Sequence, residues 1–155
     1  MPDINPWWWV GGGAVVVLLV VRWGWHFCRA VQVERARELF RLQHERFEEM
    51  LLKAAASTGK PRGLRWVSCA FTGDAVLVRD VPTGGIAAFV PVQVNFEPVE
   101  GGDMEDVPAA REPRPATAVY TFSRGHWHTD GRVVFNLNPP QAVEHFGPRF
   151  AVIEH

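Results

Sequence analysis

A chain of 155 residues with a formal net charge of −1 is long enough for one domain and a short appendage. The near-zero charge argues against nucleic-acid binding, because such proteins carry a basic field that attracts phosphate. Two cysteines, Cys28 and Cys69, are too few for a disulfide framework and fit a reducing compartment. Five of the seven tryptophans lie within the first 25 residues, so the N-terminus has a composition of its own.

The first predicted element is a membrane anchor at residues 1–28. Residues 10–21 carry no charge, and extension to residues 7–27 gives a stretch in which Arg22 is the one charged side chain. About 30 Å of hydrocarbon requires roughly twenty helical residues, which this stretch supplies. Tryptophans at both ends resemble the aromatic belts of a spanning helix, and we take them as anchor residues: Trp7, Trp8, Trp9, Trp23 and Trp25.

Two other interpretations of this stretch are a cleaved signal peptide and a buried soluble helix. A signal peptide begins with Lys or Arg and ends at an A-x-A-like site, whereas here Asp3 is the one charged side chain before the apolar run. A soluble helix has no need of tryptophan at both ends. Basic residues follow the run and none precedes it, which predicts an outside N-terminus and a cytoplasmic main domain: Arg22, Arg29, Arg35 and Arg37.

The second predicted element is a stalk helix at residues 29–59. Residues 29–57 lack Gly and Pro and are rich in helix-forming residues, and Gly59 and Pro61 then end the helix. A stripe with 3-4 spacing runs along it: Val33, Ala36, Phe40, Gln43, Phe47, Met50 and Ala54. This stripe predicts either packing on the sheet of the following domain or a homodimeric coiled-coil seam.

Residues 60–155 form the third predicted segment, an α+β domain. Alternation of period two predicts about five antiparallel strands, with Leu64, Trp66, Ser68 and Ala70 on one face of the first. Pro91 within the long strand of residues 86–97 predicts an edge position or a bulge. Asn138 is expected to cap a short C-terminal helix that ends at Gly147. The whole chain is thus predicted as a transmembrane helix, a stalk helix on a curved antiparallel sheet, and a short C-terminal helix.

The order of these elements, and the hairpin VYTFSRGHWHTDG at residues 119–131, resemble the cystatin-like and NTF2-like folds. Such domains pack an N-terminal helix into a bent antiparallel sheet and often end with a Trp-containing strand. The resemblance implies an apolar pocket with a few polar groups, for which we name Tyr120, Asn95, Gln93 and Trp127. Some NTF2-like relatives use that pocket for isomerase or dehydratase chemistry. Residues 59–146 are also similar to a bacterial family of small membrane-anchored proteins, which implies no activity.

Three clusters carry candidate chemistry, each with a structural alternative. His126 and His128 form an H-x-H pair for a metal, with a third ligand from His145, Asp130 or His155, or else they form a solvated outer strand face. The acidic loop of residues 100–106 offers oxygen ligands for Ca²⁺ or Mg²⁺ without the spacing of a calcium loop, or else it is a solvated loop or docking surface whose acids pair with Arg111 and Arg114. Cys69 is a nucleophile only beside an imidazole, and a strand cysteine is more often a core residue.

These observations predict a membrane-tethered binding or assembly module with no catalytic residues and no cofactor. Its expected partners are the lipid bilayer and a protein, or a second copy through the stalk helix, and not nucleic acid. The alternatives are a small-ligand pocket or weak enzyme of NTF2-like type, and a metal-binding domain that uses His126 and His128.

Overall fold

The structure is a computed structural model that describes residues 7–58 and 63–153, except the side chains of residues 7–12, 25, 26, 44 and 58. The chain divides into two compact units, Met1–Arg35 and Ala36–His155. Helix α1 (Trp7–Leu42) contributes to both units. The first unit is helical where it is described, and the second is an α+β fold with a seven-stranded sheet. The predicted borders after residues 28 and 59 stay predictions.

The first unit is an apolar helix whose aliphatic side chains are exposed. The seven side chains from Val15 to Val21 are between 55% and 68% exposed. Among the described residues, one helical segment, Gly13–Leu42, is long and apolar enough to cross a membrane, and none of its most apolar part is buried. This is the property expected of the predicted anchor.

The predicted anchor tryptophans are only partly described. Trp23 is exposed, and Trp7, Trp8 and Trp9 lie within α1. The side chains of these three, and that of Trp25, lie outside the described part of the chain. The two predicted aromatic belts therefore stay a prediction.

The predicted stalk helix is two helices in the structure. Helix α1 ends at Leu42, Gln43 forms a turn, and α2 (His44–Thr58) follows. The interruption is mild, because the Phe47 amide donates to the Gln43 carbonyl at 3.1 Å with ordinary helical spacing. The predicted stop at Gly59 and Pro61 lies outside the described residues, but α2 ends at the residue before it.

Within its described residues, the second unit contains seven strands rather than the predicted five or so. Their bounds are β1 (Leu64–Phe71), β2 (Val76–Asp80), β3 (Ile86–Pro98), β4 (Arg114–Ser123), β5 (His126–His128), β6 (Val133–Phe135) and β7 (Phe150–Val152). All described pairings are antiparallel, in the order β5-β4-β3-β2-β7, with β1 also on β3 and β6 also on β4. The prediction missed β7, because three residues are too few to show the alternation of apolar and polar side chains that marks a strand.

Strand β3 is central, and Pro91 lies where its neighbour changes. On one side, Phe89 pairs with β2 and Val92 pairs with β1, while β4 runs in continuous register along the other side. The Pro91 carbonyl accepts a hydrogen bond from the Thr72 amide at 2.9 Å. The N–H and C=O of a strand residue point to the same side. The missing N–H of Pro91 therefore faces the junction between β1 and β2, and the predicted edge or bulge at Pro91 is wrong.

The bulge lies in β1 instead. Trp66 pairs with Phe96, but Ser68 pairs with Asn95, so Val67 is an extra residue. One extra residue moves every later side chain to the other face. Leu64 and Cys69 are consequently the buried residues of β1, and Ser68 and Ala70 are exposed. The predicted single face through Ser68 and Ala70 is wrong beyond Trp66.

One face of the sheet, here called the α2 face, is covered by the end of α1 and by α2. The buried helix residues at 3-4 spacing are Ala36, Phe40, Phe47, Leu51 and Ala55. The Phe40 ring lies 4.9 Å from Phe47, 5.5 Å from Tyr120 and 5.1 Å from Trp127. Helix-on-sheet packing thus accounts for Ala36, Phe40 and Phe47 of the predicted stripe. In α2 the buried residues are Leu51 and Ala55 rather than the predicted Met50 and Ala54, and the homodimer seam stays a prediction.

The opposite face, here called the α3 face, is partly covered by the short helix α3 (Pro139–Phe146). A core cluster joins this helix to β2, β3 and β4: Val78, Ala87, Phe89, Val119 and Ala142. The predicted cap is confirmed, since the Asn138 side chain accepts from the Gln141 amide at 2.9 Å and the Gln141 side chain accepts from the Asn138 amide at 3.0 Å. Eight residues form only about 12 Å of helix, so α3 covers part of this face.

Candidate ligand site

Two of the four predicted pocket residues lie in the packed core of the α2 face. Tyr120 is 0% exposed, and its hydroxyl donates to the Phe47 carbonyl at 2.6 Å. Trp127 is 5% exposed, and its indole N–H donates to the Ala36 carbonyl at 2.9 Å. The polar atoms of both side chains are therefore used to hold the helices on the sheet.

The other two predicted pocket residues lie on the opposite side of the sheet. Tyr120 pairs with Ala88 in register, so the even-numbered residues of β3 share its face, while Gln93 and Asn95 point away from it. Gln93 is exposed, and the Asn95 amide donates to the Ser68 hydroxyl at 2.8 Å. The structure does not bring the four predicted side chains together, because successive residues of a strand point to opposite faces of the sheet.

The predicted metal pair points away from Trp127, on the exposed side of β5. His128 Nε2 lies 2.7 Å from the Ser123 hydroxyl, and His126 Nδ1 lies 3.1 Å from the Arg124 carbonyl. Among the described residues, no group of three or more His, Cys, Asp or Glu side chains is close enough to hold a metal ion. His155, one proposed third ligand, lies outside the described residues. The described chain does not complete a metal site around this pair.

Cys69 lies in the core beside Glu48 and Tyr120. Burial, and to a lesser degree the charge of Glu48, raises the pKa of the Cys69 thiol from 9.0 to about 12. Burial likewise raises the pKa of Tyr120 well above its usual range, with smaller contributions from Cys69 and Glu48. Glu48 itself accepts a hydrogen bond from the Phe71 amide at 2.6 Å. A thiol that stays protonated at neutral pH is a poor nucleophile, which agrees with a core role.

The acidic loop of residues 100–106 forms a series of turns. The Glu105 carboxylate accepts from the Gly101 amide at 2.8 Å, so this acid organises its own loop. A wide polar depression of about 810 Å³ lies beside the loop, and its lining includes Asn95, Arg65 and Glu97, of which the last two form an exposed ion pair at 2.7 Å.

An open cavity of about 420 Å³ lies on the part of the second unit that α3 leaves uncovered, and we call it the trough. Its lining comes from the β2–β3 turn, from β3, β4 and β5, and from the segments around β7 and after β5. The full lining is Asp80, Thr83, Gly85, Ile86, Ala87, Val119, Thr121, Phe122, Ser123, His128, Thr129, Asp130, Arg132, Arg149 and Phe150.

The trough combines an apolar floor with polar walls. The half-buried Phe122 and Phe150 provide apolar surface, next to the almost fully buried Ala87 and Val119. On one wall, Arg149 Nε lies 3.2 Å from Asp80 Oδ1, and on the other Arg132 Nη2 lies 3.7 Å from Asp130 Oδ2. This mixture of apolar surface and a few polar groups is typical of small-ligand sites, which range from roughly 300 to 1,000 Å³.

Of the residues that line the trough, the sequence indicated His128, for a metal site or a solvated face, and Asp130, as a third metal ligand. A signal for two more was present, because Thr121 and Ser123 share a strand face by alternation. No local pattern pairs Asp80 with Arg149, which are 69 residues apart. The trough arises from the topology that places β7 beside β2.

Comparisons of the chain with protein-family models, with curated proteins and with solved structures found no match in any of the three. The resemblance to cystatin-like and NTF2-like folds therefore remains an expectation drawn from the sequence.

Proposed function

We propose that this chain is a single-pass membrane protein whose second unit is a binding module on the cytoplasmic side of the bilayer. The observation that carries the tether is the exposed apolar helix of the first unit, with seven consecutive aliphatic side chains more than half exposed. Burial of one such side chain contributes about 1.5–3 kcal/mol, so seven in water would forgo on the order of 10 kcal/mol. A bilayer supplies the apolar surroundings that this helix lacks.

The arrangement of basic residues supports the cytoplasmic side. Arg22 and Arg29 follow the aliphatic run closely, and no Lys or Arg precedes it. Positive charge near the end of a spanning helix is retained in the cytoplasm. The second unit follows these arginines along the chain, so it is assigned to the same side.

Membrane fractionation tests the tether. The full chain is expected in the membrane pellet after alkaline carbonate washing and in the detergent phase after phase separation. The double variant Val17→Arg and Leu18→Arg is expected to move to the soluble fraction, because each central arginine costs about 2.5–3.5 kcal/mol of insertion. Leu42→Arg is the matched control, since Leu42 is an exposed leucine of α1 beyond the aliphatic run. Recovery of the unaltered chain in the soluble fraction would refute the tether.

Cysteine labelling tests the orientation separately. In a Cys28→Ser background, the variants Asp3→Cys and Glu112→Cys place one reactive thiol on each side of the predicted span. A membrane-impermeant maleimide is expected to label residue 3 in intact cells and residue 112 only after lysis. The reverse pattern would place the second unit outside the cell and leave the tether standing.

The binding role rests on the trough. Its partly charged and partly apolar lining suits a small ligand, and its opening to solvent allows entry. Tyr120 and Trp127, the polar aromatic residues of the opposite face, are already hydrogen-bonded to helix carbonyls. The α3 face is therefore the better candidate for ligand binding.

A further inference from the structure

We propose that Ser123 and His128 form a nucleophile–base pair in the trough, which takes the acyl group of a small carboxylic ester. This inference rests on the binding role proposed for the trough, because the same cavity holds the ester. Three observations carry it: the contact between the two side chains, the strands that fix this contact, and the open floor beside the hydroxyl.

The contact has the geometry that activation of a serine requires. The Ser123 hydroxyl lies 2.7 Å from Nε2 of His128, and both exposed residues line the trough. A serine hydroxyl is a weak nucleophile until a base within about 2.6–3.2 Å takes its proton. In the tautomer that carries its proton on Nδ1, the imidazole accepts at Nε2 the hydrogen bond that the hydroxyl donates. The histidine is then placed to act as the base.

The β4–β5 hairpin fixes the relative position of the two side chains. Its turn residues Arg124 and Gly125 have φ values of +52° and +82°, the signs that a two-residue type I′ loop requires. The loop pairs Ser123 with His126. His128 lies two residues further along β5, so it is the diagonal neighbour of Ser123 on the same face of the sheet.

The residues on either side of His128 anchor its backbone. Trp127 is 5% exposed on the opposite face, and its indole N–H donates to the Ala36 carbonyl at 2.9 Å. The Thr129 hydroxyl donates to the Val119 carbonyl at 2.8 Å. A catalytic group on an anchored strand is positioned more accurately than one on a loop. The base is therefore in place before a substrate arrives.

The floor beside the hydroxyl has room for an acyl group. Phe122 pairs with Ile86, so Ser123 lies beside Gly85, and on the other side the Asp80 amide donates to the Gly85 carbonyl at 3.0 Å. A residue without a side chain thus separates Ser123 from Asp80, over two strand spacings or roughly 10 Å. This gap, in a cavity of about 420 Å³, suits a small ester.

The reaction needs no co-reactant other than water. Oγ of Ser123 forms a bond to the carbonyl carbon of the ester while its proton passes to Nε2 of His128. The ester C–O bond then breaks, and Nε2 gives the proton to the leaving alcohol. Water hydrolyses the acyl-serine by the same steps, with His128 again as the base, and releases the carboxylic acid.

Covalent labelling of the full chain in lipid nanodiscs tests the nucleophile. A fluorophosphonate forms a P–O bond to an activated serine and loses fluoride, and peptide mass spectrometry locates the adduct. Ser123 is expected to react at least 100-fold faster than Ser68, because a general base contributes roughly 10²–10⁴-fold. Ser68 is the internal control, since it is exposed but has the Asn95 amide, which is no base, as its partner at 2.8 Å. Equal labelling of the two serines, or none at Ser123, would overturn the inference.

Two histidine variants test the base. His128→Gln keeps a hydrogen-bonding side chain without a basic nitrogen and is expected to slow the labelling of Ser123 about 100-fold. His126→Gln is the matched control, because His126 lies on the same face of β5 but its Nδ1 is 3.1 Å from the Arg124 carbonyl. The control is expected to label at the unaltered rate, and equal slowing in the two variants would contradict the role of His128.

Ester turnover tests the whole reaction. The full chain is expected to release p-nitrophenolate from p-nitrophenyl acetate faster than empty nanodiscs do. Ser123→Ala should abolish this difference, whereas Ser68→Ala should preserve it. Turnover that persists in Ser123→Ala would place the activity elsewhere and overturn the inference. A chain that stays in the membrane and leaves Ser123 unlabelled would refute this inference alone and leave the tether intact.

Discussion

The two faces of the sheet are built from the same strands but differ in how completely they are covered. On the α2 face, Tyr120 and Trp127 are buried and hydrogen-bonded to carbonyls of α1 and α2. On the α3 face, an eight-residue helix covers one part and the trough remains open on another. The α2 face stabilises the fold, whereas the α3 face leaves part of its surface accessible to a ligand. Substitutions on the two faces should therefore differ in what they damage.

The largest effect is expected for Trp127→Ala on the α2 face. It removes a buried aromatic side chain and its bond to the Ala36 carbonyl, which should lower the free energy of unfolding by about 3–5 kcal/mol. Phe150→Ala, on a half-buried residue of the trough, should cost about 1–2 kcal/mol. Urea unfolding of the full chain in detergent, followed by circular dichroism, measures both. Equal losses for the two variants would contradict the contrast between the faces.

The next effect concerns the close approach of the β5–β6 loop to α2. Gly131 has a φ of +80°, and a Cβ added there would lie 2.6 Å from the Ala55 amide nitrogen. Gly131→Ala therefore combines left-handed strain of about 1 kcal/mol with displacement of a helix backbone, for a total loss of about 2–4 kcal/mol. The same unfolding measurement checks this value.

Gly125→Ala isolates the backbone strain, so the difference between the two glycine variants gives the steric part of that loss. Gly125 has a φ of +82° but no atom within 4 Å of an added Cβ, so only the strain of about 1 kcal/mol should appear. If both glycine variants lost the same free energy, the contact between the loop and α2 would not constrain the fold.

These residues also mark how far the sequence can predict the structure. Local patterns predicted the apolar helix, the α+β class and the Asn138 cap, because each depends on residues a few positions apart. The bulge at Val67 was not predictable, since it depends on which residue of β3 lies opposite. The close approach of Gly131 to Ala55 is likewise a property of the packed fold.

The candidate site was harder to predict than the fold. The alternation of side chains along β5 correctly predicts that Trp127 and His128 point to opposite faces. It does not predict which of these faces a helix covers. Tyr120 and Trp127 resemble polar pocket residues in sequence and become structural hydrogen-bond donors in the fold. Arg149 appears in the trough only because β7 pairs with β2, and β7 is too short to recognise.

A smaller effect, confined to alkaline pH, is expected from Cys69 in the α2 core. Its folded pKa of about 12 lies above the ordinary value of 9.0, so the folded state resists thiol ionisation. The contribution to stability is complete below pH 9 and is lost as the pH rises toward 12. Cys69→Ala should flatten this part of the stability–pH curve, measured as the urea midpoint between pH 8 and pH 11.

Thiol alkylation gives an independent check on Cys69. At pH 8 roughly 0.01% of this thiol would be ionised, so in a Cys28→Ser chain a maleimide should react only after urea unfolding. A Cys69→Ser chain is the control, because Cys28 is exposed and should react without urea. Rapid alkylation of folded Cys69 would contradict its burial.

The smallest effect on stability is expected for Arg149→Gln, and this is what distinguishes the α3 face. Arg149 is half exposed, and loss of its ion pair with Asp80 should change the free energy of unfolding by no more than about 1 kcal/mol. Asp80 keeps the hydrogen bond from the Thr83 hydroxyl, so its carboxylate is not left without a partner. The variant should therefore unfold at nearly the same urea concentration as Arg65→Gln, which also removes an exposed ion pair. A large stability loss would instead make Arg149 a structural residue, and the α3 face would then contribute to folding in the same way that the α2 face does.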